Sequence, residues 1–79
     1  MKTKRQALPS PEQIGKTIRA LREQRDLSLG EFAERIESDK ATLCRFESGS
    51  RRPNLDALTA IATACGITVV QLLDLAAKS

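Results

Sequence analysis

Apolar residues recur three and four positions apart along most of this chain, and short polar stretches interrupt the recurrence. That period belongs to helices with one buried face; strands would alternate every second residue. Ile14, Ile18 and Leu21 form the first stripe, with Leu27 closing the face beyond it. Lys16, Arg19, Glu23 and Arg25 fall on the outer side of the same segment. Phe32, Ala33 and Ile36 form a second stripe, and Leu43 with Phe46, backed by Ala41 or Thr42, a third. Leu55, Leu58, Ile61, Ala62 and Cys65 form a fourth, and Leu72, Leu73 and Leu75 a fifth.

The interruptions carry helix start and stop signals. Ser10 can cap the first helix, Pro11 suits its first position, and Gln13 can reach back to complete a capping box. Ser28 with Glu31, and Thr68 with Gln71, have the same spacing, while Asp39 and Asn54 are N-caps of the third and fourth helices. Gly49 and Gly66 stand where left-handed residues end helices. The prediction is therefore an all-α domain of five short helices over residues 10–79. Residues 1–9 precede it as a basic, solvated tail, or alternatively as a basic arm that touches nucleic acid.

Composition narrows the function. A chain of 79 residues has room for one domain and one compact core. With no His, it lacks the usual neutral-pH general base and the commonest metal ligand, so neither an enzyme, a metal site nor a cofactor is expected. Two Phe and no Trp or Tyr make a stacking platform for single strands a poor fit. No apolar run reaches the length of a membrane span, and no apolar region follows the basic start as in a signal peptide. The expectation is a cytoplasmic protein. Cys44 and Cys65, with no second pair, do not make a zinc ribbon or a CxxC motif. Cys65 belongs to the core, whereas Cys44 is either a small contact residue or a redox-sensitive thiol.

Charge changes the picture most. Residues 26–39 hold five acids and one base, and residues 40–53 hold four bases and one acid. The second helix is an acidic, solvent-facing element, with a partner surface as its other reading. The third helix and the loop after it form the basic end. Two short helices joined by a tight turn, the second with a polar, basic outer face, make a helix-turn-helix, here at about residues 29–48. Such a helix fits the major groove of B-DNA, where Lys and Arg donate to guanine. Lys40, Ala41, Cys44, Arg45 and Ser48 lie off the buried stripe, and Arg51 and Arg52 follow in a loop suited to phosphates.

In order and spacing these pieces resemble the Cro and phage-repressor type of helix-turn-helix. The matching residues include Ile14-Gly15-Lys16, Leu21-Arg22-Glu23, Glu31-Phe32-Ala33, Arg45-Phe46-Glu47, Arg52-Pro53 and Cys65-Gly66-Ile67, and the family-like region runs from about residue 18 to 73. The resemblance implies a lambda-repressor-like fold. It implies that Lys40, Ala41, Cys44 and Arg45 contact bases, and that Ser28, Thr42, Ser48, Arg51 and Arg52 contact phosphates. It also implies an ion pair between Arg22 and Glu47 that ties the first helix to the third. The chain departs from the family at three positions. Leu29 stands where Gln is usual, and Glu37-Ser38 replace a glycine and an apolar residue in the turn, so Glu37 is expected to be left-handed.

These readings imply a sequence-specific regulator of double-stranded DNA, in a bacterial, phage or plasmid setting. It would act as a repressor and homodimer on an inverted repeat, because one such module covers too little DNA alone. The fifth helix and the loop around residues 49–54 are the expected dimer contacts. Two alternatives share the fold. One is an antitoxin that binds its operator and a partner toxin. The other is a protein-interaction module without DNA readout.

Overall fold

The computed structural model describes residues 8–79. Five helices follow in order: α1 (Pro11–Gln24), α2 (Leu29–Arg35), α3 (Lys40–Ser48), α4 (Leu55–Ala64) and α5 (Val69–Ala77). No strand occurs among the described residues. The expected tail falls largely on residues 1–7, which lie outside the described residues; Pro9, at its inner edge, is buried.

Each helix begins at the polar residue expected to cap it. Reciprocal capping boxes join Ser10 with Gln13, Ser28 with Glu31 and Thr68 with Gln71. Asp39 accepts from the Thr42 amide at 2.7 Å, and Asn54 from the Ala57 amide at 2.8 Å. Four helices end in one type of lock, in which a left-handed residue lets two amides turn back on the last carbonyls. At the end of α3 the left-handed residue is Gly49 (φ 83°), and Ser50 donates to the Arg45 carbonyl. Gly66 does the same for α4, with Ile67 donating to the Ala62 carbonyl. Asp26 (φ 54°) ends α1, and Glu37 (φ 56°) ends α2, the latter with Ser38 donating to the Ala33 carbonyl. Glu37 adopts the expected left-handed backbone, at a cost of about 1–2 kcal/mol relative to glycine. The connection to α3 spans residues 36–39, because Ile36 has already left helical geometry.

Every helix sends a large side chain into a single core. Ile14 and Ile18 of α1, Phe32 of α2, Leu43 of α3, Ile61 of α4 and Leu72 of α5 are fully buried. Each contributes roughly 1.5–3 kcal/mol of burial. Two predicted core positions differ. Leu55 is 69% exposed, because it stands at the first turn of α4, beyond the reach of a neighbouring helix. Leu75 is 45% exposed, and Ala76, one position on, is buried in its place.

The crossing of α1 with α3 fixes the position of the basic helix. A Cβ on Gly15 would collide with the carbonyls of Phe46 and Glu47, so only glycine permits this approach. Two turns further along the same side of α1, Arg22 meets Glu47. Its Nε donates to Oε2 at 2.7 Å and its Nη2 to Oε1 at 3.1 Å. Nη1 donates to the Leu27 carbonyl at 2.8 Å, so one guanidinium ties α1, α3 and the α1–α2 loop together.

Candidate nucleic-acid interface

The third helix presents its polar side because Leu43 and Phe46 claim the other. Lys40, Ala41, Cys44, Arg45 and Ser48 are all exposed along it. Neither Lys40 nor Arg45 forms an ion pair among the described residues, so both cationic heads face water. The stem of Lys40 lies over Gly30 at the start of α2, within 3.3 Å of where a Cβ would stand. This contact steers Lys40 along the shared face of the two helices. Cys44 is an exposed free thiol in the middle of that face, and Cys65 is buried, which pushes its thiol up from the ordinary value.

The hydroxyls expected near phosphates have internal duties of different kinds. Ser28 Oγ accepts from the Glu31 amide and keeps its own proton to donate. Thr42 Oγ1 donates to Asp39 Oδ2 at 3.2 Å, and Ser48 Oγ donates to the Arg45 carbonyl at 3.1 Å. Arg51 is exposed with its guanidinium 6.0 Å from the Phe46 ring centroid. Arg52 donates from Nη1 to the Pro9 carbonyl at 3.1 Å.

Two carboxylates near this face are engaged as acceptors at helix starts. Hydrogen bonds from the Thr42 amide and hydroxyl hold the Asp39 carboxyl below its ordinary value. Those from the Ser28 side of its capping box do the same for Glu31. Each sits at a helix N-terminus, where the dipole favours negative charge. Asp39 is thus part of the start of α3. Leu29 is half-buried and packs against the core, so the position where Gln is usual serves packing here.

Sequence reasoning missed two features of this region. Arg25, assigned to an outer face, donates to the Leu21 carbonyl at 3.0 Å and the Cys65 carbonyl at 2.7 Å, joining the end of α1 to the end of α4. Gly15 stands on the buried side of a helix interior, where glycine costs about 1 kcal/mol against alanine. That cost is the signal that a close approach was needed. Among the described residues no group of His, Cys, Asp or Glu could hold a metal ion, and no single helix is long and apolar enough to cross a membrane.

Comparison with known proteins bears on this geometry. A family model described as a helix-turn-helix domain matches residues 13–75. No curated protein matches the chain. Among solved structures, the clp gene regulator ClgR from Corynebacterium glutamicum superposes with a TM-score of 0.81 at 26% identity, covering 86% of this chain and 72% of that one. The restriction-modification controller protein C.AhdI from Aeromonas hydrophila gives 0.74 at 27% identity, over 78% of this chain and 94% of that one. SinR, a master regulator for biofilm formation solved in complex with DNA, gives 0.72 at 29% identity, over 77% and 98%.

Proposed function

This chain belongs to the helix-turn-helix domain family, of the Cro and phage-repressor type, and on that premise we propose that it is a sequence-specific regulator of transcription that binds double-stranded DNA. One observation carries the reading. The outer face of α3 offers Lys40, Ala41, Cys44 and Arg45 together, on a helix fixed from behind by the Gly15 crossing and the Arg22–Glu47 pair. A helix held this way meets the geometric demand of base readout, since a side chain displaced by an ångström loses a bidentate contact. Arg45 and Lys40 donate to purine edges, and Ala41 and Cys44 are small enough to let the helix sit deep in the groove. Arg51 and the hydroxyl proton of Ser28 contact phosphates on either side, with Thr42 and Ser48 closing the same border.

One domain of this size covers one half-site. The regulator acts as a homodimer on an inverted repeat, with half-sites about one helical turn apart, and represses by occupying its operator. The exposed apolar Val70 on α5 supports that helix as a dimer contact.

Selection from a random duplex pool tests the reading, with the Lys40→Ala/Arg45→Ala variant as control. An inverted repeat enriched by the natural chain and lost in the control is the expected result. Enrichment that survives in the control would remove α3 from the reading role. On the selected site, Arg45→Ala should cost about 1–3 kcal/mol at one base position, and Arg51→Ala should weaken all sequences alike.

A further inference from the structure

Two residues in contact, one on α2 and one on α3, each break a local rule of helix building. Gly30 is the second residue of α2, and its backbone is not left-handed, so the conformational freedom of glycine is not what the position needs. Glycine within a helix is less stable than alanine. Lys40 is the first residue of α3, where a positive charge opposes the helix dipole. Local rules broken without local gain point to a demand set elsewhere, as functional sites do.

The space over Gly30 shows what the demand is. A Cβ there would stand 3.3 Å from Lys40 Cδ, 3.8 Å from its Cγ and 4.0 Å from Ser28 Oγ. The missing side chain leaves a notch at the start of α2, and the Lys40 stem lies in it. The ammonium is two bonds beyond Cδ, so the resting place of the stem decides where the charge points. Lys40 forms no ion pair among the described residues, so no carboxylate competes with the notch in directing it. Gly30 differs from Gly15 in what opposes a side chain. At Gly15 it is the backbone of α3, which cannot yield, whereas at Gly30 it is the flexible stem of an exposed lysine. A substitution at Gly30 therefore keeps the fold and changes the aim of Lys40.

We infer that Gly30 is a specificity-determining residue of the interface, which acts through Lys40 as its positioning residue. By leaving the notch open it seats the lysine stem and fixes which base edge the ammonium meets. The inference rests on the DNA-binding reading above and adds to it a residue outside α3. Alanine at this position would shift the stem slightly, and leucine would fill the notch and redirect it.

The test begins with selection from a random duplex pool by the natural chain. Fluorescence anisotropy on the enriched duplex and its single-base variants then compares the natural chain, Gly30→Ala, Gly30→Leu, Lys40→Ala and Gly30→Leu/Lys40→Ala. Lys40→Ala should reduce discrimination at one base position of each half-site by about 5- to 150-fold. Gly30→Leu should reduce it at the same position, Gly30→Ala by a smaller factor, and the double variant should match Lys40→Ala alone. Thermal melting of both Gly30 variants should equal or exceed that of the natural chain, since alanine and leucine are better helix formers. A merely structural glycine would move melting and leave base preference alone. The alanine variant carries the test if leucine unfolds the chain. Unchanged base preference in the folded Gly30 variants overturns the proposal. So does a loss that persists in full without Lys40, because glycine would then serve a direct approach of DNA to α2. A natural chain that enriches no site would defeat the DNA-binding reading itself, and this inference with it; the other two outcomes leave that reading standing.

Discussion

The half of the molecule from α1 to the α3–α4 loop and the half made of α4 and α5 are held by different forces. Residues 57–73 contain no charged side chain, and α4 and α5 dock through Leu58, Ile61 and Leu72. The first half uses polar devices with fixed geometry: a nearly buried, two-point ion pair, a carboxylate cap on α3 and a non-glycine left-handed turn. Apolar burial is tolerant of direction, because its strength follows area. Hydrogen-bonded ion pairs are intolerant of direction, because they fail when the groups move. The half that must present α3 at a defined angle is the one that carries an ion pair between helices.

That contrast predicts unequal responses to truncation. Glu47→Ala leaves the Arg22 guanidinium, whose side chain is only 12% exposed, with the Leu27 carbonyl as its sole acceptor. A loss of about 3–5 kcal/mol is expected in chemical denaturation, since an unpaired charge left behind costs more than the pair contributes. Replacing both partners together, as Arg22→Met/Glu47→Leu, should restore most of it. If the double variant stays as unstable as the single one, the pair contributes more than its desolvation costs and the argument fails. In the other half Leu72→Ala should cost about 2–5 kcal/mol through transfer and cavity terms. It should leave the affinity of the folded protein for DNA nearly unchanged, whereas the paired replacement, though stable, should weaken binding by releasing α3.

A smaller effect is expected at the start of α3. Asp39→Ala removes the cap on the Thr42 amide and should cost about 0.5–2 kcal/mol. The pH dependence follows from the direction of its shift. The Asp39 carboxyl is held below its ordinary value in the fold, so its stabilisation is present above the unfolded value and is lost as pH falls through the folded one. Acid titration followed by circular dichroism should therefore show the natural chain losing stability below the ordinary carboxylate range more steeply than Asp39→Ala. Parallel curves would mean that the cap contributes nothing.

What was legible in the sequence was local. Caps lie three residues from their partners, and stripes recur within a turn or two, so the five helices and the exposed face of α3 follow from short-range rules. The Arg22–Glu47 pair and the left-handed Glu37 came through the family resemblance, which encodes tertiary geometry that periodicity does not. Features set by elements far apart in the chain were illegible. The Arg52–Pro9 and Arg25–Cys65 bonds join residues about forty positions apart, and Arg25 looks like any solvated arginine near a helix end. Leu55 has the right angular position for the core, but no neighbouring helix reaches it, and helix ends do not announce that in sequence.

The turn between α2 and α3 offers the finest test of the contrast between the halves. Four helices end in the same left-handed lock, with Gly66 at the end of α4 in the apolar half and Glu37 at the end of α2 in the half that carries α3. Relief of backbone strain by Glu37→Gly is worth about 1–2 kcal/mol. Part of it is cancelled by the greater freedom of glycine in the unfolded chain. A net gain of about 0.5–1 kcal/mol is expected, or a few degrees in melting temperature. The substitution also removes a negative charge two residues before the N-cap of α3, so affinity for any duplex should rise modestly and the gain should shrink with salt. Gly66→Ala, the reverse change in the other half, meets nothing within 4 Å, so the same backbone strain acts there without a steric clash. It should lower the melting temperature while leaving DNA affinity as it was. A stabilised Glu37→Gly with unaltered affinity would mean that this charge does not act on DNA, and a destabilised one would mean that the glutamate makes its left-handed turn at no cost.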